Sequence, residues 1–182
     1  MYSRKNTLDL ISNGIYAGID HKISKNINLT AGYGFSVVSY FNSGNDRFND
    51  NRIELKLKQK LPRNYYHSLG YELLNKFYPR RMTRTPAAVN TDKERSDWRN
   101  TLEYEVGKYF PKDLYRMFFE YYNNNSNETY LKYYDYDSYK IGGSLTHLFN
   151  NKTFGYLSIT RQYRDFRSRT LTLDNACKEW DR

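Results

Sequence analysis

A single cysteine, Cys177, stands in 182 residues, so no internal disulfide can staple the chain and its redox compartment is not indicated. No run of about 18 apolar residues occurs, which excludes a transmembrane helix. The opening MYSRKNTLDL lacks the apolar core of a signal peptide, so the sequence reads as a mature chain or as a fragment. His21, His67 and His147 occur singly on separate segments, without metal-ligand spacing, and no G-x-S-x-G, HExxH or phosphate-loop motif accompanies them. No cofactor, no metal and no catalytic activity are therefore expected. An RNP-type motif is also missing, and the aromatic residues follow strand positions instead of clustering with the basic ones, so nucleic acid is not the expected partner.

What the chain has in quantity is ring surface: 20 Tyr, 10 Phe and 2 Trp, at a mean hydropathy of −0.93. That is too much apolar surface for a disordered segment, and tyrosine suits positions that are dry along the ring and wet at the tip. The net charge of +9 favours association with anionic partners but says nothing of fold. The stretch INLTAGYGFSV alternates strictly, with Ile27, Leu29, Ala31, Tyr33, Phe35 and Val37 against Asn28, Thr30, Gly32, Gly34 and Ser36. RIELKLKQKL does the same, with Ile53, Leu55 and Leu57 opposed to Arg52, Glu54, Lys56, Lys58 and Lys60. A period of two is a strand with one dry side. Similar parity predicts eight strands, at residues 11–23, 27–40, 52–61, 65–77, 98–109, 114–122, 134–149 and 153–164, and no helix. Turn signals at 24–26, 62–64, 111–113 and 150–152 predict tight hairpins, alternating with long polar links at 41–51, 79–97 and 123–133. The expected fold is all-β, an antiparallel up-and-down meander of about eight long strands forming part of a transmembrane β-barrel.

Three features carry the membrane expectation. A strand crossing a bilayer needs roughly 9 to 11 residues, whereas soluble strands have a mode of about 5 to 6. Short turns at one end and long links at the other suit the two sides of a barrel. Tyr40, Phe41, Tyr65, Tyr66, Phe77, Tyr78, Trp98, Tyr109, Phe110, Tyr121, Tyr122, Tyr133, Tyr134 and Phe149 lie near strand ends, where rings form interfacial girdles. On these patterns the sequence resembles bacterial outer-membrane β-barrels as a class, of porin-like or export-pore type, over about residues 11–166.

The resemblance implies an outer-membrane location, lipid outside and a polar lumen. Ile27, Leu29, Tyr33, Phe35, Val37, Ile53, Leu55 and Leu57 are then the lipid-facing candidates. Arg52, Glu54, Lys56, Lys58, Lys60, Arg99, Glu103, Glu105, Arg116, Glu120 and Lys140 are the lumen-facing ones, setting ion preference. Arg80, Arg81 and Arg84, in a basic loop, are placed to meet lipopolysaccharide phosphates. Eight strands beginning before a short turn and ending before a long link put both ends outside, so further strands, from this or another chain, are expected to complete the barrel. Two alternatives stand beside the pore: a soluble barrel binding a lipid or other small apolar ligand, and a structural or adhesive surface barrel with a plugged lumen.

Overall fold

A computed structural model of the chain describes residues 10–40, 43–129, 134–150 and 152–166. It is all-β: β1 (Leu10–Lys22), β2 (Ile27–Tyr40), β3 (Ser43–Lys60), β4 (Tyr65–Arg84), β5 (Asn90–Tyr109), β6 (Asp113–Ser126), β7 (Tyr136–Asn150) and β8 (Thr153–Phe166). Each strand pairs antiparallel with the next, giving one eight-stranded meander in chain order. The sheet is not closed: among the described residues β1 and β8 each pair on one side only. A three-residue 3-10 turn, Pro62–Asn64, is the only helical element there, and no helix is long and apolar enough to cross a membrane.

The expected strands are all present, and β2 has the expected bounds, but the long links are shorter than expected. Residues 43–51 belong to β3, and residues 79–84 and 90–97 extend β4 and β5, leaving only 85–89 between them. The basic PRRMTRT is thus the far end of a strand. The third link is shifted and slightly shorter, at 127–135 instead of 123–133. Asn, Asp, Arg and Thr make these stretches look like loops, yet polar residues can stay in a ladder where both faces are wet and each group finds a partner across the strand. Asp50 lies opposite Lys76, for example, and Thr83 Oγ1 pairs with Thr91 Oγ1. Pro79 falls where the β4–β5 register slips between Tyr78 and Met82, a break that tolerates a residue without an N–H.

The register also leans. One ladder runs Gly18, Gly32, Glu54, Glu72, Thr101, Tyr122, Ser138, Arg164 across all eight strands. Measured from the short-turn end, Gly18 lies four residues from Lys22, Glu72 seven from Tyr65 and Arg164 eleven from Thr153. The stagger accumulates in one direction, so the strands tilt against the rungs, as strands must in a sheet that rolls toward a barrel.

All residues of that ladder share one face, and the two faces differ in packing. Ile53, Leu55, Leu57, Leu69, Leu102, Met117, Phe119 and Ile141 on the other face are exposed. Among the described residues the four buried hydrophobic ones, Val38, Tyr66, Leu74 and Tyr122, all lie on the polar side, together with the buried Ser68, Arg95, Asp97, Glu105 and Ser138. Close packing there uses rings laid on glycines. Tyr66 lies over Gly107 and Phe118 over Gly142, so close that a methyl group at either glycine would overlap the ring.

Candidate functional site

The register places all eleven charged candidates on the polar face: Arg52, Glu54, Lys56, Lys58 and Lys60 from β3, Arg99, Glu103 and Glu105 from β5, Arg116 and Glu120 from β6, and Lys140 from β7. The eight apolar candidates, Ile27, Leu29, Tyr33, Phe35 and Val37 from β2 with Ile53, Leu55 and Leu57 from β3, share the opposite face. Alternation within one strand gives its parity; the ladder joins these parities into two continuous surfaces.

Most of the charges are paired across strands. Glu54 stands directly opposite Glu72, and Glu103 opposite Glu120. Like charges in that position repel, and each pair is flanked by cations. Arg52 lies 3.5 Å from both Glu54 and Glu72, Arg99 2.9 Å from Glu72, Lys56 3.2 Å from Glu103 and Lys140 3.2 Å from Glu120. A recess of about 300 Å³ lies over this neutralised middle, lined by Glu54, Lys56, Glu72, Arg99, Glu103 and Glu120. Pairs as exposed as these contribute little to stability one by one; they set the local field.

Toward the short turns, the buried Tyr66 donates its hydroxyl to Glu105 at 2.8 Å, and Arg116 sits 3.6 Å from the same carboxylate. Lys58 donates to the Tyr109 hydroxyl at 3.2 Å, with its ammonium 4.1 Å from the Tyr66 ring centre. Lys60 ends the basic stripe, exposed at the turn. At the opposite end Arg95 pairs with Asp97 and lies between the rings of Tyr78 and Tyr134. The strand alternation of RSDWRN gave Arg99 but not Arg95 or Asp97, because residues 79–97 read as a link.

The apolar face carries a band with a marked upper edge. Leu55, Tyr71, Leu102, Tyr121, Tyr139 and Tyr163 form one row through adjacent strands. Tyr71 donates to Asn100 at 2.7 Å, Tyr121 to Asp137 at 2.7 Å and, from β2, Tyr33 to Asn51 at 2.9 Å. Rings on the dry side and hydroxyls on an Asn/Asp row make a tyrosine border. At the other end Phe110 meets Tyr115 edge-on, ring centres 5.4 Å apart, and His147 meets Phe149 at 4.7 Å while bonding Asp113 at 2.7 Å. The nine residues from Tyr65 to Leu73 cover roughly 27 Å of strand at about 3.4 Å each, or roughly 20 Å of height at a tilt of about 45°.

The expected aromatic girdles divide between the faces. Tyr65, Phe77, Trp98 and Tyr121 lie on the apolar side, whereas Tyr40, Tyr66, Tyr78, Tyr109 and Tyr122 share the polar one. Adjacent rings such as Tyr65 and Tyr66 must point to opposite faces, so nearness to a strand end cannot place both in one girdle. Phe41 and Tyr133 lie outside the described residues.

Arg80, Arg81 and Arg84 sit in the β4 extension. Arg80 is exposed; Arg81 donates to the Tyr134 hydroxyl at 3.0 Å, and Arg84 lies 3.7 Å from Glu128. Glu128 is buried because the segment after β6 folds back on β4 and β5: it accepts from Arg84 N at 2.8 Å, and Asn127 bonds Ser96 and Glu94. Among the described residues no cluster of three or more His, Cys, Asp or Glu is placed to hold a metal. No family model, no curated protein and no solved structure matches this chain.

Proposed function

We propose that the chain forms a wall of a bacterial outer-membrane β-barrel that serves as a pore or export channel, its apolar band against lipid and its charged face toward a water-filled lumen. One observation carries this reading: burial is inverted. The apolar band is exposed, while most of the buried residues among those described lie on the charged face. In water, contiguous apolar patches beyond a few hundred Å² are rare; in a bilayer such a band is required. A soluble lipid-binding barrel would enclose these rings and leave the charges outside.

The tilted ladder, strands of 13 to 20 residues and a tyrosine border all support the same assignment. Strands pairing with β1 and β8 would complete the wall, and lipopolysaccharide phosphates remain the proposed partner at the far end of β4, with Arg80 the exposed cation. Conduction would need no chemistry from the chain: lumen width and charge would select the solute.

The test is reconstitution. The chain, purified in detergent, is expected to lose its β-structure or precipitate when detergent is withdrawn and, added to a planar bilayer where copies can join their edges, to give stepwise conductance. A monodisperse, folded chain without amphiphile overturns the membrane reading. Detergent dependence with a silent bilayer overturns a pore built from copies of this chain and favours the plugged surface barrel.

A further inference from the structure

Toward the far end of the polar face lies a recess of about 200 Å³, to which Lys76, Arg95 and Arg99 bring three cations against one lining carboxylate, Asp97. That carboxylate is fully engaged. Arg95 grips both of its oxygens, through Nε at 2.9 Å and a second guanidinium nitrogen, and Ser126 Oγ donates to it as well. Arg95 is 3% exposed, with Tyr78 and Tyr134 centred 4.6 and 3.4 Å from its guanidinium carbon, so it is locked in place.

The other two cations are less satisfied. Arg99 gives one nitrogen to Glu72, but its Nε is buried without an acceptor. Lys76 stands between Asp50 and Asp97 in the register and makes no ion pair with either among the described residues; its ammonium rests 4.7 Å from the Phe48 ring centre. Arg164, 5.5 Å from the Tyr136 ring centre, adds a further positive charge beside the recess.

We propose that this recess binds a small solute bearing an oxyanion, a carboxylate or a phosphate, with the Lys76 ammonium and the accessible part of the Arg99 guanidinium as its receptors. Cations held at a recess with so few carboxylates gain most from a charged oxygen, the strongest acceptor available to an ammonium or guanidinium. The rings do not make this a neutral-sugar site, since Tyr78 and Tyr134 are engaged with Arg95. At about 30 Å³ per water, the recess holds roughly seven waters' volume, room for a phosphate or one sugar acid. The inference rests on the polar face being wet, as the proposed function has it, but not on conduction.

The test is calorimetric titration of the full chain in detergent micelles, at low chloride, with inorganic phosphate, glucuronate and glucose. Both anions are expected to bind and glucose not. Lys76→Gln is expected to weaken anion binding about tenfold, and Lys76→Arg to restore most of it. Glucuronate binding more tightly than phosphate would assign the carbon skeleton to the ligand; equal binding would assign the oxyanion alone. No heat from either anion, glucose binding as tightly as glucuronate, or anion binding unchanged in both Lys76→Gln and Arg164→Gln overturns the site. Circular dichroism of each variant checks that it folds. A chain that binds anions without conducting loses the pore and keeps the site; one that conducts without binding loses the site alone.

Discussion

At the scale of single residues, the charged face depends on where side chains are missing. Gly107 and Gly143 look alike in sequence, each a glycine within a strand, yet their surroundings are opposite. A Cβ at Gly107 would strike the Tyr66 ring, whereas one at Gly143 would meet only the Arg116 carbonyl oxygen, at an ordinary 3.5 Å. Gly107→Ala is therefore expected to cost about 1 to 3 kcal/mol through displacement of the ring and its bond to Glu105, and Gly143→Ala within about 0.5 kcal/mol. Urea unfolding of the two variants in the same detergent compares them directly; equal effects would mean that the ring does not rest on Gly107. Neither role is legible in one sequence, because which ring crosses which glycine is fixed by register between strands. The parity of the eleven charges and the eight apolar residues, by contrast, is legible, because it is set by the period of two within a single strand.

At the scale of the strand, the same period makes a sharp experiment. Leu69 lies at the middle of the Tyr65–Leu73 span, between Leu57 and Tyr104, and is 48% exposed. In water Leu69→Arg would be a surface change worth within about 0.5 kcal/mol. In a bilayer an arginine at that depth costs about 2 to 4 kcal/mol. Refolding of Leu69→Arg into lipid vesicles, followed by urea titration, is expected to show the larger loss; an effect near zero would remove hydrocarbon from that face. Strand existence and order could be read from alternation and turn residues, but the full lengths of β3, β4 and β5 could not. The links at 41–51 and 79–97 contain residues that favour loops when alone, and they are held in the sheet by neighbours such as Asp50 opposite Lys76, which only pairing supplies.

At the scale of the whole molecule, the meander leaves two edges. β4 and β5, at 20 residues each, are the longest strands and pair with each other, while β1 is exposed throughout. Amide hydrogen exchange in detergent is expected to be slowest in β4 and β5 and fastest in β1 and β8, whose outer N–H groups are unpaired among the described residues. Protection of β1 and β8 equal to that of β4 would mean that the edges are joined, to each other or to a second chain. Whole-molecule closure is the least legible property, since parity and turns fix neighbours along the chain but not the meeting of first and last strands.

The β4–β5 hairpin reaches beyond the tyrosine border and ends in the Thr85–Val89 turn, whose hydrogen bonds close among its own residues. Residues of the band answer to partners on adjoining strands and, in the proposed barrel, to lipid; those at this tip answer to neither. Mutation can therefore accumulate at the tip without reaching the sheet. Whatever meets the molecule first from that side meets the part most able to change its appearance between generations.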